Sequence, residues 1–148
     1  MMKVRISSVN ELDRNERELR FKYKKKNNIF QMKNEKHIVI AAIVAKQQGS
    51  DVRHVYDYNQ SKYVLVHFNS TVGSNHINLF DYDRKSYVVG TLPMIFDYGS
   101  GTYINLNIIG NRFNGFDYET GSHFNGMING NMVNIFDFQH GRYFNYGV

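Results

Sequence analysis

One phrase, an aspartate between two aromatic residues, recurs five times along this 148-residue chain: Tyr56-Asp57-Tyr58, Phe80-Asp81-Tyr82, Phe96-Asp97-Tyr98, Phe116-Asp117-Tyr118 and Phe136-Asp137-Phe138. The aspartates stand 24, 16, 20 and 20 residues apart, so the chain after Gly49 is an internal repeat of about 20 residues with two irregular early units. Four positions after each aspartate lie Ser61, Lys85, Gly101, Gly121 and Gly141, and six positions after it lie Tyr63, Tyr87, Tyr103, His123 and Tyr143. A three-residue hairpin loop needs a left-handed residue in its last place, and Gly99-Ser100-Gly101, Glu119-Thr120-Gly121 and Gln139-His140-Gly141 supply it. Ser61 and Lys85 fit that place less well, so the first two turns are expected to be built differently. A second turn follows each returning strand, as in Ile109-Gly110-Asn111 and Asn129-Gly130-Asn131. Five such units predict nine or ten strands in an antiparallel meander, with Pro93 at a strand end or an edge.

Alternation sorts each strand into two faces. Asn114, Phe116 and Tyr118 share one face, while Val133, Ile135 and Asp137 show the composition of the other. Neither face is purely apolar, which speaks for a closed or radially arranged sheet rather than a two-sheet sandwich. Aspartate is disfavoured in strands, so its recurrence needs a cause. The expected cause is structural: a carboxylate that accepts hydrogen bonds at the mouth of its own hairpin. With three-residue loops, Asp97, Asp117 and Asp137 would lie opposite Tyr103, His123 and Tyr143, and these six residues form the candidate polar-ligand site. Asparagines at matched positions, Asn105, Asn125 and Asn145, are read as a register-fixing amide ladder; Tyr and Asn on an accessible face would also suit sugar hydroxyls or a protein partner.

The charge is divided along the chain. Residues 1–50 carry 12 Lys+Arg against 5 Asp+Glu, and residues 51–148 carry 6 against 8, so the net +5 belongs to the first third. There the signals are helical. Ser8 with Glu11 fits a capping box for a helix over about residues 9–26. Asn34 can cap a second helix that Gly49 terminates, and the run Ile38 to Ala45, apolar all round, should be buried on most sides. Its β-branched content leaves a buried strand as the alternative. Arg20, Lys22, Lys24, Lys25, Lys26 and Lys33, interleaved with Phe21, Tyr23 and Phe30, are the candidate nucleic-acid contacts. The absence of cysteine excludes thiol catalysis and thiolate metal sites. No phosphate-binding or dinucleotide glycine loop occurs, and the six histidines have no metal-ligand spacing. The longest apolar run is far short of a bilayer span, and the first thirty residues lack a signal-peptide core; a cytoplasmic protein without membrane partners is expected.

The segments Val55-Tyr56-Asp57-Tyr58, Phe116-Asp117-Tyr118-Glu119-Thr120-Gly121 and Phe136-Asp137-Phe138-Gln139-His140-Gly141-Arg142-Tyr143 resemble the repeat proteins known as four-fold β-flowers, small domains of hairpins around a pseudo-symmetry axis. The resemblance covers residues 55–148 and implies an architecture; no ligand, cofactor or catalytic residue comes with it. The expected class is α+β, mainly β: a basic helical segment over residues 1–50, then a barrel- or flower-like meander of five hairpin repeats over 51–148. The expected function is a non-enzymatic interaction module, without metal or cofactor, that binds a protein or a polar ligand through the repeat surface. Nucleic-acid binding through the basic segment and carbohydrate binding by the Tyr/Asn-rich sheet are the alternatives, and homo-oligomerisation stays open.

Overall fold

Among the described residues ten antiparallel strands close into a barrel, and one helix precedes them. The structure, a computed structural model, describes residues 32–69, 71 and 73–148. The expected helix over residues 9–26 lies outside them. The helix α1 spans Asn34–Gln47, and the strands are β1 (His54–Asp57), β2 (Lys62–Phe68), β3 (His76–Asp81), β4 (Ser86–Thr91), β5 (Met94–Asp97), β6 (Thr102–Ile109), β7 (Arg112–Asp117), β8 (Ser122–Asn129), β9 (Met132–Asp137) and β10 (Arg142–Gly147). Each strand pairs with its neighbours in sequence, and β1 pairs with β10 to complete the ring. Among the described residues no helix is long and apolar enough to cross a membrane.

Every residue of α1 from Lys36 to Lys46 is buried, so no side of that stretch faces water. Its apolar residues belong to one core together with the inward residues of the wall, among them Val55, Val64, Ile77, Val88, Ile95, Ile104, Phe124, Ile135 and Phe144. The helix therefore lies in the lumen. A lumen of eight strands is filled by its own side chains, and ten strands enclose more space. That space matches a helix built of Ala and medium-sized aliphatic residues. Closure also decides between helix and strand for Ile38 to Ala45. A complete ring of strands leaves no edge to which another strand could bond, and a buried extended segment would leave its backbone groups unpaired. A helix satisfies them internally, so tertiary context overrides the β-branched composition.

The wall makes room for this plug in part by glycine. Phe113 pairs with Gly126 and Gly115 pairs with Phe124 on adjacent strands. A Cβ on Gly126 would fall 2.5 Å from the Phe113 ring, and one on Gly115 would fall 2.4 Å from that of Phe124. Each ring thus lies over a glycine.

The hairpin loops after the aspartates hold four residues, 58–61, 82–85, 98–101, 118–121 and 138–141, instead of the expected three. The aspartate is the last strand residue in every unit and pairs with the residue five positions on: Asp97 with Thr102, Asp117 with Ser122, Asp137 with Arg142. All five loops end on a left-handed residue. Gly101, Gly121 and Gly141 have φ near 70°, and Ser61 and Lys85 have φ of 55° and 52°. The first two turns are thus built like the others, against expectation. The shorter turns hold Leu92-Pro93, Gly110-Asn111 and Gly130-Asn131. Pro93, with a cis peptide bond, sits in a turn; a closed wall has no edge to place it on. A non-glycine residue in the left-handed region costs about 1–2 kcal/mol, and glycine costs about 0.5–1 kcal/mol in unfolded-state entropy. Lys85→Gly is therefore expected to raise stability by about 0.5–1 kcal/mol, and Gly121→Ala to lower it by a similar amount, read from the midpoints of urea unfolding.

Candidate functional site

Five carboxylates ring one mouth of the barrel. Asp57, Asp81, Asp97, Asp117 and Asp137 end the odd-numbered strands, face inward, and are buried. Each accepts hydrogen bonds from its own loop: Asp57 from the Asn59 N–H (2.8 Å), Asp81 from that of Asp83 (2.9 Å), Asp97 from that of Gly99 (3.2 Å), Asp117 from that of Glu119 (3.3 Å) and Asp137 from that of Gln139 (2.8 Å). The structural role expected for them is thus present in every unit.

What remains of each carboxylate is met from two sources. The first turn of α1 serves three: the Asn34 amide donates to Asp57, Lys36 Nζ lies 2.7 Å from Asp117, and His37 Nε2 lies 2.9 Å from Asp137. Arg84 serves the other two, with Nε 2.9 Å from Asp81 and both Nη atoms 2.9–3.0 Å from Asp97. A Cβ at position 99 would lie 2.4 Å from Arg84 Nη1, which is why this unit carries Gly99 where the others carry Asn59, Asp83, Glu119 and Gln139. Asn34 was expected to cap the helix by its side chain; the N-cap is Lys33, without a side-chain bond, and Asn34 is spent on Asp57 and the Tyr146 hydroxyl.

Burial is the largest single influence on His37, Arg84, Asp137 and Tyr146, and at Arg84 and Asp137 their partners together overcome it. It lowers the His37 pKa, against the opposing pull of Asp137. Burial by itself would raise the Asp137 pKa, but hydrogen bonds from His37 and His140 outweigh it and hold the carboxyl below its ordinary value. Arg84 is desolvated too, yet its bonds to Asp97 and Asp81 raise its pKa further. Tyr146, 3.0 Å from His37 Nδ1, is raised by burial and by the charge of Asp57, so it stays a neutral hydroxyl. Placing the acidic ring at the N-terminal end of α1 also sets negative charge against the positive end of the helix dipole.

The expected ligand set does not come together. Asp97, Asp117 and Asp137 point into the lumen, and Tyr103, His123 and Tyr143 point out. The extra loop residue shifts the register by one, and a one-residue shift reverses the face. The residues paired with Tyr103, His123 and Tyr143 are Phe96, Phe116 and Phe136. Of the basic cluster, Arg20, Lys22, Lys24, Lys25 and Lys26 lie outside the described residues, and Lys33 Nζ lies 3.9 Å from Glu119. Lys36, His37, Arg84 and Tyr146 complete the cluster and are not among the candidate residues named from the sequence. The signal for the first two is there, polar residues joined to the start of an all-apolar helix; Arg84 has none.

On the outer wall each hairpin carries three aromatic side chains. A half-buried central ring, Tyr56, Phe80, Phe96, Phe116 or Phe136, packs edge-to-face on two exposed rings with centroids 4.6–5.0 Å away and planes at 61–85°. His123 packs on Phe116 as tyrosines do elsewhere. The exposed tyrosines and Phe138 keep 46–65% of their surface in solvent, far more than packed rings retain. Neighbouring hairpins join through the backbone, the Tyr98, Tyr118 and Phe138 N–H groups donating to the carbonyls of Tyr87, Tyr103 and His123. The result is an aromatic girdle. Beside it run amides, with Asn107 donating to Asn105 and Asn134 to Asn145. Comparison with protein-family models, curated proteins and solved structures returned no match.

Lys36 Nζ lies 2.7 Å from Asp117 and 2.8 Å from Glu119, so removing it strands two acids. Lys36→Met is expected to destabilise the fold by about 3–5 kcal/mol, and adding Asp117→Asn to restore about 1–3 kcal/mol of that loss, as read from a double-mutant cycle in denaturant.

Proposed function

We propose that this protein is a non-enzymatic binding module whose working surface is the outer wall of the barrel. One observation carries the reading: nine tyrosine and phenylalanine side chains of the girdle are held in fixed edge-to-face clusters yet remain about half exposed. Exposed apolar surface on that scale marks a place of interaction, and rigid aromatic side chains bind at low entropic cost. The inside offers less. The lumen holds α1, and the buried carboxylates are occupied by the protein's own donors. Hairpin units around an axis fit the resemblance to the β-flower repeat proteins, which supplies architecture and no ligand.

Nucleic-acid binding is the second reading, and charge supports it. Residues 1–31 carry 9 Lys+Arg against 4 Asp+Glu, whereas residues 32–148 carry 9 of each, so the whole positive excess precedes the barrel. It predicts binding to a generic duplex that weakens steeply with salt.

A small-molecule fragment library titrated into the isotopically labelled full chain separates inside from outside by amide shifts. Perturbed amides are expected at outward positions such as Tyr87, Tyr103, Asn125 and Tyr143. Clustering at the acidic mouth or along α1 would overturn the outer-wall reading.

A further inference from the structure

The girdle is not uniform, and one of its irregular junctions, with Tyr58 N–H donating to the Asn145 carbonyl, lies where the ring of strands closes. Of β1 and β10, Tyr56–Gly147 and Asp57–Tyr146 are paired. A groove of about 620 Å³ opens at this seam, within the range of about 300–1,000 Å³ that small-ligand sites occupy. Tyr58, Tyr63, Asn129 at the end of β8, Asn131 in the β8–β9 turn and Gly147 are among the residues that line it. Among the described residues no Asp, Glu, Lys or Arg side chain lines it.

We propose that this seam groove is a binding site for a neutral oligosaccharide. The proposal rests on the outer-wall reading and names its ligand. Three features select the class. Tyr58 and Tyr63, 53% and 65% exposed, present flat faces of the kind on which the C–H face of a pyranose packs. Their orientation is set before any ligand arrives: Tyr56 packs against both at 4.7 and 4.6 Å, and His54 against Tyr63 at 5.2 Å. Asn129 and Asn131 are exposed, and each amide offers both donors and an acceptor, the combination that hydroxyl groups require. Asn129 spends its amide nitrogen only on the weakly accepting sulfur of Met127, at 3.2 Å. The described lining holds no Lys or Arg, the side chains that phosphorylated or strongly acidic ligands would call for. Gly147 keeps the floor low. A Cβ there would stand 3.3 Å from the Tyr58 ring and crowd the position that ring occupies.

The test titrates the full-length protein with soluble maltohexaose, cellopentaose, xylohexaose, mannohexaose and chitohexaose, read by calorimetry and amide shifts at low and high salt. At least one oligosaccharide is expected to bind with no salt dependence and to shift the His54, Tyr63 and Asn131 amides. Tyr63→Ala and Asn131→Ala are each expected to weaken it about tenfold or more, equivalent to about 1.4 kcal/mol. Ile109→Ala, exposed at the end of β6 and outside both the girdle and the groove, is expected to leave affinity unchanged. Thermal unfolding of each variant establishes that it is folded; should Tyr63→Ala unfold, Asn131→Ala on its exposed turn carries the comparison. If no oligosaccharide binds, or if binding survives both groove variants, the proposal is overturned. A proline-rich peptide occupying the groove in their place would also overturn it, while leaving the outer-wall reading intact. Fragment shifts confined to the lumen would remove both.

Discussion

A closed wall of ten strands has to be filled, and the rest of the structure follows from how this chain fills it. The inward residues are mostly Val, Ile and Leu, too small to meet across the lumen, and α1 occupies the gap. The arrangement binds two requirements together. The helix is apolar on all sides from Ile38 to Ala45 and has no stable place in water. The barrel without it would enclose a large void, whose lining would forfeit its packing contacts. Each element supplies the environment that the other needs, and helix and barrel form one compact unit, residues 32–148.

The acidic ring gives that packing a direction. A helix apolar along its length could enter a barrel from either end, but only one orientation sets Asn34, Lys36 and His37 against Asp57, Asp117 and Asp137. The opposite end is tied more lightly, by Gln47 and Gln48 to the carbonyls of Ser74 and Gly110 and by Lys46 over the Phe68 ring. Arg84 shows the same economy from the wall itself. It joins Asp81 to Asp97, the two acids that α1 does not serve, and Gly99 leaves it room. Five repeats of one hairpin therefore become inequivalent through what covers their carboxylates. Breaking one buried pair leaves an uncompensated charge, so such contacts act more as a specification of orientation than as a source of net stability.

Much of the fold was legible in the primary structure, because a hairpin writes its signature locally. The aromatic-Asp-aromatic phrase and the glycines at 101, 121 and 141 mark units, turns and the antiparallel meander. Loop length was not legible to one residue, since Tyr98, Tyr118 and Phe138 read equally well as strand ends or as first loop residues. That single residue reverses a face, and it separated Asp97, Asp117 and Asp137 from Tyr103, His123 and Tyr143. The state of Ile38 to Ala45 was undecided for a different reason. It depends on closure between β1 and β10, a pairing across almost the whole described chain that no local pattern encodes. Ser61 and Lys85 in the left-handed region belong to the same category, held there by the hairpins on either side of them. The seam groove is wholly a product of closure.

The central claim is that α1 and the barrel wall are a single cooperative structure. Native-state hydrogen exchange of the α1 backbone amides tests it most directly, because local and global openings are distinguished by their denaturant dependence. The account predicts that the amides of Ile40 to Val44 exchange only by global unfolding, with the same free energy and denaturant slope as the slowest amides of β7, β8 and β9. Exchange of those helix amides through a cheaper opening, with the barrel amides still protected, would show a plug that leaves an intact barrel and would contradict the account.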